Sequence, residues 1–94
     1  MHVLSAKLTF YIPHAGSLKE KRQVCRSLID KAKRRFNASV AEAGTQDIRQ
    51  TLTIGVAVVS GAAAHAQNSL DEIVRYMEGQ AEQAGAELVG AEMG

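Results

Sequence analysis

Several residue types are scarce in this 94-residue chain, and their scarcity excludes whole classes of protein. Trp is absent, and two Tyr and two Phe are the only aromatic residues, so aliphatic side chains must fill the core. A single cysteine, Cys25, excludes an intramolecular disulfide and a zinc site built on several cysteines. No apolar run approaches the roughly 18 residues that span a membrane. The first residues lack the basic stretch and cleavage site of a signal peptide, so we expect a cytoplasmic protein without membrane contact.

Catalytic and cofactor-binding motifs are also missing. The chain has no P-loop, no G-x-G-x-x-G turn and no nucleophile elbow. Its three histidines have no metal-ligand spacing to one another or to Cys25. We therefore predict a protein that is not an enzyme and that has no catalytic residues, no metal and no cofactor.

Strand patterns are clear in two places and weaker in two others. Apolar and polar residues alternate over residues 3–12, which is the period of a strand with one buried face. Residues 50–60 are rich in Thr, Ile and Val and are apolar on both faces, as in a central strand. Shorter strands are predicted over residues 38–43 and 86–92.

Two helices are predicted from apolar residues at spacings of three and four. The first covers residues 18–36, and Ser17 and Glu20 form a capping box at its start. The second lies between Ser60, a candidate capping residue, and Gly85, a candidate stop.

The resulting element order, β-α-β-β-α-β, predicts the fold. Right-handed crossovers in both β-α-β halves place the two helices on one face of a four-stranded antiparallel sheet. We therefore predict a single α+β domain over residues 1–94 with the ferredoxin-like sandwich architecture. The opposite face of the sheet has no helix to cover it.

The charges are segregated along the chain. The formal net charge is +1. Residues 1–47 contain nine Lys or Arg and four Asp or Glu, a net charge of +5, whereas residues 48–94 contain two basic and six acidic residues, a net charge of −4. Eight of the basic residues belong to the first predicted helix or its C-terminal end.

Part of this charge forms a stripe on the first helix. At 100° per residue, four side chains fall within about 60° of arc, and we call them the basic stripe: Lys19, Arg22, Arg26 and Lys33. A stripe of this kind, with Arg34 beside it, is typical of a surface that follows nucleic-acid phosphates. A solvated helix face has the same pattern, and Asp30 is expected to pair with Arg26 and Arg34.

Lys21 is the exception on this helix, because its helical angle places it within the apolar face. Its ammonium must either extend to water or find a specific partner. An ion pair is one such partner, and an anion bound with Ser17 at the helix N-terminus is another. Cys25 lies on the same face, where we expect it to act as a small hydrophobic residue.

Several stretches together resemble one bacterial family. The sequence S-L-K-E-K-R at residues 17–22 and R-F-N-A-S-V-A-E at residues 35–42 resemble the YlxP-like family of small proteins of unknown function. The resemblance continues through residues 27–30, 46–47 and 55–60. It implies a ferredoxin-like fold, no known catalytic residues, and genes often placed near those of translation initiation and ribosome maturation.

Two functions remain open from the sequence. The first is a non-enzymatic protein that binds RNA or the ribosome through the basic stripe and Arg34. The second is a homo-oligomer, such as a homodimer, that associates through the open sheet face as an interaction or scaffold domain.

Overall fold

The predicted element order is confirmed in a computed structural model, which describes residues 1–45 and 48–94. The elements are β1 (His2–Tyr11), α1 (Leu18–Arg35), β2 (Ser39–Gly44), β3 (Thr51–Ser60), α2 (Ala63–Gln83) and β4 (Glu87–Met93). The first and last residues of each element lie within a few residues of their predicted positions. The pair Gln46-Asp47, which contributes to the family resemblance and to the charge count, lies outside the described residues.

The sheet has the strand order β2-β3-β1-β4, and all neighbouring strands are antiparallel. β1 and β3 are central and pair along ten residues, from His2 opposite Ser60 to Tyr11 opposite Thr51. β2 and β4 form the edges, and each carries an irregularity in its pairing. This is the ferredoxin-like α+β sandwich that the sequence predicts.

One face of the sheet carries the core. Leu8, Phe10, Leu52 and Ile54 are fully buried, whereas Tyr11 and Val59 of the alternate set are exposed. α1 and α2 bury their apolar faces against the same side of the sheet, and together these residues form one continuous cluster. The alternation in β1 therefore decides which side is covered, because a strand's side chains alternate between the two faces.

The start of α1 confirms the predicted capping box. The hydroxyl of Ser17 accepts a hydrogen bond from the Glu20 amide at 3.2 Å. In return, the Glu20 carboxylate accepts one from the Gly16 amide at 3.1 Å. The first bond satisfies a backbone donor that the first helical turn leaves without an intrahelical partner. The second differs from a standard capping box, because Glu20 bonds the amide one residue before the N-cap.

The start of α2 differs from the prediction, whereas its end agrees. The N-cap is Ala62 rather than Ser60. Ser60 lies before the helix, where its hydroxyl accepts from the Ala62 amide at 3.2 Å. At the other end, Gly85 has φ +79°, and the Ala86 amide donates to the Ala81 carbonyl at 2.8 Å, which is a Schellman ending.

Among the described residues, neither helix is long and apolar enough to cross a bilayer.

Candidate nucleic-acid interface

α1 presents two chemically different sides. Four of its residues, Lys21, Cys25, Leu28 and Ala32, are buried towards the sheet. The basic stripe and Arg34 lie on the other side and are exposed to solvent. The helix is thus amphipathic in the way that its sequence predicts.

The N-terminal half of the basic stripe borders a concave surface. One hollow of about 450 Å³ is lined by Lys19, Arg22, Arg26 and Asp30 together with Gln23 and Ser27. A second hollow of about 330 Å³ shares Arg22, Arg26 and Asp30 and extends to Cys25, Ile29 and Glu42. Because Glu42 belongs to the edge strand β2, the two guanidinium groups lie on the flank of α1 that faces this edge.

The C-terminal part of the predicted interface is separated from this surface. Lys33 follows Arg26 by about 10 Å along the helix axis. Its side chain lines a different hollow, of about 710 Å³, which opens beside β2 and continues onto the open face of the sheet. Arg34 is exposed and lines neither hollow of the N-terminal half.

The charge of the basic stripe is not neutralised at close range. Within residues 1–45 and 48–94, the ion pairs are Lys7–Glu92 at 3.8 Å and Lys21–Glu42 at 3.7 Å. The expected pairing of Asp30 with Arg26 and Arg34 is therefore wrong, since no carboxylate oxygen of Asp30 lies within 4.0 Å of either guanidinium. Exposed long side chains gain little from such a pair, because holding them in one geometry costs side-chain entropy.

Lys21 is buried with specific partners, and its side chain does not extend to water. It is 1% exposed. Its ammonium donates to the carbonyl of Thr45 and, at 2.7 Å, to the carbonyl of Ile48. The Glu42 carboxylate lies 3.7 Å away and is itself partly exposed. Lys21 thereby fastens α1 to the connection between β2 and β3.

These contacts bear on the predicted anion site at Ser17 and Lys21. The Ser17 hydroxyl is bonded to the Glu20 amide, and the Lys21 ammonium is directed at oxygen atoms of the protein itself. The anion contact stays a prediction that none of these bonds supports. An ion pair is the other partner that the sequence leaves open, and the structure contains one with Glu42.

Cys25 lies beside this ion pair and is buried. Burial raises the pKa of its thiol from 9.0 to about 11, and the Glu42 carboxylate acts in the same direction. Lys21 and Arg26 oppose this shift by favouring the thiolate. The pKa therefore agrees with the expected structural role, since reactive cysteines have lowered pKa values.

We expect the Cys25 thiol to react slowly in the folded protein. At pH 8, a pKa of about 11 instead of 9.0 reduces the thiolate about 100-fold. Reaction with a disulfide reagent, followed by absorbance, should be at least about tenfold slower in the native protein than in urea, because the greater nucleophilicity of a high-pKa thiolate offsets only part of this loss. The Cys25→Ala variant provides the blank, and equal native and unfolded rates would contradict the assignment.

A second cluster lies on the α2 side of α1, and sequence reasoning missed it. The rings of Phe36 and Tyr76 meet edge to face, with centroids 5.4 Å apart. The Arg35 guanidinium lies 5.0 Å from the Tyr76 centroid and 5.7 Å from that of Phe36. A hollow of about 430 Å³ opens beside them, lined also by Glu72 and Arg75. Arg35 and Phe36 are neighbours in the sequence, but Tyr76 joins them only when α2 packs against α1.

The open sheet face carries exposed apolar residues. Val3 and Val59 are partners across β1 and β3, and they are 56% and 64% exposed. Tyr11 lies on the same face and is 41% exposed. Small residues of β2 and β3, with Ser5 of β1, line the shallow hollow on this side.

Comparison with known proteins identifies the family. Residues 3–92 match the family described as "Protein of unknown function (DUF503)". The chain belongs to the DUF503 family. A relative from Bacillus subtilis (strain 168), called "Uncharacterized protein YlxP", is 34% identical over 64 residues, which are 68% of this chain and 70% of the relative. The resemblance to the YlxP-like family is therefore confirmed.

Solved structures support the fold of this DUF503 chain. A C-terminal segment of the alpha subunit of aIF2 from Pyrococcus abyssi has a TM-score of 0.58 at 14% identity. The match covers 98% of this chain but 48% of that one, so the chain spans about half of that segment. A de novo designed protein with ferredoxin fold, LFR1 1, also has a TM-score of 0.58, at 15% identity, with 100% and 82% of the two chains covered. At these identities the likeness shows the fold alone.

In this DUF503 chain, the ion pair between Lys21 and Glu42 joins two stretches that carry the YlxP-like resemblance. Lys21 belongs to S-L-K-E-K-R, and Glu42 ends R-F-N-A-S-V-A-E. Their side chains meet between α1 and β2. The stretches that carry the resemblance thus include one internal contact, while Lys19 and Arg22 of S-L-K-E-K-R belong to the exposed basic stripe.

Proposed function

We propose that this DUF503 protein is a non-enzymatic binding protein that contacts RNA, free or within the ribosome, through the basic stripe and Arg34. The observation that carries this proposal is the exposure of the stripe without a carboxylate in ion-pair range within the described residues. Unneutralised Lys and Arg side chains bind phosphates and release their counterions. The gene neighbourhood implied for the YlxP-like family points in the same direction.

The dimensions of α1 suit a phosphate backbone. From Lys19 to Lys33 the stripe extends about 21 Å along the helix axis. Arg22 and Arg26 border concave surface, where a phosphate can approach two guanidinium groups at once. Arginine is well suited to this contact, because its planar group donates to two phosphate oxygens together.

The proposal predicts salt-dependent binding to RNA. A fluorescence-anisotropy titration with labelled ribosomal RNA fragments should show binding at low salt. The slope of log affinity against log salt concentration should become shallower by about 2–3 in the R22A/R26A/K33A triple variant, because each lost phosphate contact removes about 0.7–0.9 from the slope.

A charge-matched control shows whether RNA binding depends on the basic stripe or only on the total positive charge. The K7A/K31A/R49A variant removes the same three positive charges from exposed positions outside the basic stripe. It should retain most of the affinity. No binding by the native protein at low salt, or an equal loss in both triple variants, would overturn the proposal.

A second candidate function is homo-oligomerisation through the open sheet face. The observation that favours it is the exposed cross-strand pair of Val3 and Val59, with Tyr11 on the same face. Adjacent exposed apolar residues such as this pair mark surfaces that bind a partner. Tyr11 lies at the other end of β1, about 26 Å from Val3. Light scattering at micromolar concentrations should then give a dimer mass that a Val59→Lys substitution reduces to that of a monomer, and a monomeric native protein contradicts it.

A further inference from the structure

We propose that the cluster of Arg35, Phe36 and Tyr76 binds an unpaired nucleobase of single-stranded RNA. This inference rests on the proposed function and adds to it a base-contacting site at the C-terminal end of α1. The ligand is a nucleobase with its flanking phosphate.

The cluster has the components of a stacking site. The guanidinium of Arg35 lies over the Tyr76 ring at 5.0 Å from its centroid, and Phe36 supports this ring from its edge. Both rings are half-buried, whereas Arg35 is exposed. The exposed Arg35 guanidinium is thus a cationic group next to both rings, and its planar face can stack on a base. Unpaired RNA bases stack on aromatic rings and on guanidinium planes.

The adjoining hollow provides room for a ligand. Its volume of about 430 Å³ lies within the range of about 300–1000 Å³ that is common for ligand clefts. Arg75 lines it with a second guanidinium, which can bind the flanking phosphate. The Glu72 carboxylate is a hydrogen-bond acceptor on the lining, and it suits the exocyclic amino group of a base.

The position of the cluster connects it to the basic stripe. Lys33 and Arg34 immediately precede Arg35 in α1. At 100° per residue, Arg34 and Arg35 lie about 100° and 200° around the helix axis from Lys33. A strand whose phosphates follow the basic stripe therefore reaches the cluster by passing over Arg34, around the C-terminal end of α1. Bases inside a duplex are already stacked on one another, so the cluster selects single-stranded over double-stranded RNA.

The first test compares single-stranded and duplex RNA of the same sequence. We expect Arg35→Lys, which keeps the charge but removes the planar group, to weaken binding of a labelled 12-nucleotide single strand at least fivefold. Tyr76→Leu should have a similar effect. Both variants should change duplex binding less than twofold, and so should the matched Arg49→Lys control for single strands. Urea unfolding of each variant establishes that it is folded at the assay temperature.

A spectroscopic readout tests whether the base binds next to Tyr76. The protein has no Trp, and its two tyrosines are Tyr11 and Tyr76. In the Tyr11→Phe variant, the remaining tyrosine fluorescence comes from Tyr76, and single-stranded RNA should quench it. In the Tyr76→Phe variant, the emission of Tyr11 should stay unchanged.

The outcomes separate this inference from the proposed function. If RNA binds and the R22A/R26A/K33A variant loses binding, but Arg35→Lys has no effect on single strands and Tyr76 is not quenched, the stacking site is overturned and the proposed function stands. If neither single-stranded nor duplex RNA binds at low salt, both are overturned.

Discussion

Replacing Lys21 by methionine is expected to lower the free energy of unfolding by about 3 kcal/mol, although the two side chains have similar length. Methionine leaves the Thr45 and Ile48 carbonyls without their donor and the Glu42 carboxylate without its counterion. Removing one partner of a buried ion pair typically costs about 3–5 kcal/mol. We place the value at the lower end, because Glu42 is partly exposed and water can solvate it.

Urea unfolding followed by circular dichroism measures this loss. Lys31→Met is the matched control, since Lys31 is an exposed residue of the same helix, and it should change stability by less than about 0.5 kcal/mol. Glu42→Gln should cost less than Lys21→Met, because both carbonyl contacts of Lys21 survive it. Equal stabilities for the Lys21 and Lys31 variants would show that the buried ammonium does not hold the connection between β2 and β3.

The second large effect concerns the two faces of β1. Phe10→Ala should destabilise the protein by about 3–5 kcal/mol, because it removes a fully buried aromatic side chain and leaves a cavity in the core. This is a large part of the total stability of about 5–15 kcal/mol that is usual for a domain. Thermal unfolding should show the loss as a clearly lower midpoint.

The neighbouring residue supplies the control. Tyr11→Ala changes another large side chain one position along β1, but on the open face, and should cost about 1 kcal/mol or less in a monomer. A loss as large as that of Phe10→Ala, and dependent on protein concentration, would mean that a second copy covers the open face. The pair of variants therefore also tests the second candidate function.

Much of the fold follows from local patterns. In β1, Leu8 and Phe10 alternate with Lys7 and Tyr11, which is enough to predict a strand and its buried face. Ser17 and Glu20 similarly predict the start of α1, because a capping box requires only residues close in sequence. The start of α2 was misplaced, since Ser60 lies two residues before the N-cap and bonds to the Ala62 amide instead.

The candidate sites also differ in whether local sequence patterns predict them. The basic stripe follows from helical geometry, and its exposure is as predicted for Lys19, Arg22, Arg26 and Lys33. The stacking cluster does not follow from helical geometry, because Arg35 and Tyr76 are 41 positions apart and belong to different helices. The Asp30 pairing failed because correct spacing on a solvated helix permits an ion pair without enforcing it.

The sequence by itself determined two things: which residue types are scarce, and the order of the secondary-structure elements. With no Trp and only four aromatic residues, the core had to be mainly aliphatic, and the periodicities placed six elements in ferredoxin-like order. Only the tertiary structure decided what Lys21 does. Its position in an apolar face required the ammonium either to extend to water or to find a partner. The structure gives it partners, which are backbone carbonyls and a carboxylate brought to it by chain folding. Backbone oxygen atoms carry no sequence signal, so packing alone decides where they meet a side chain.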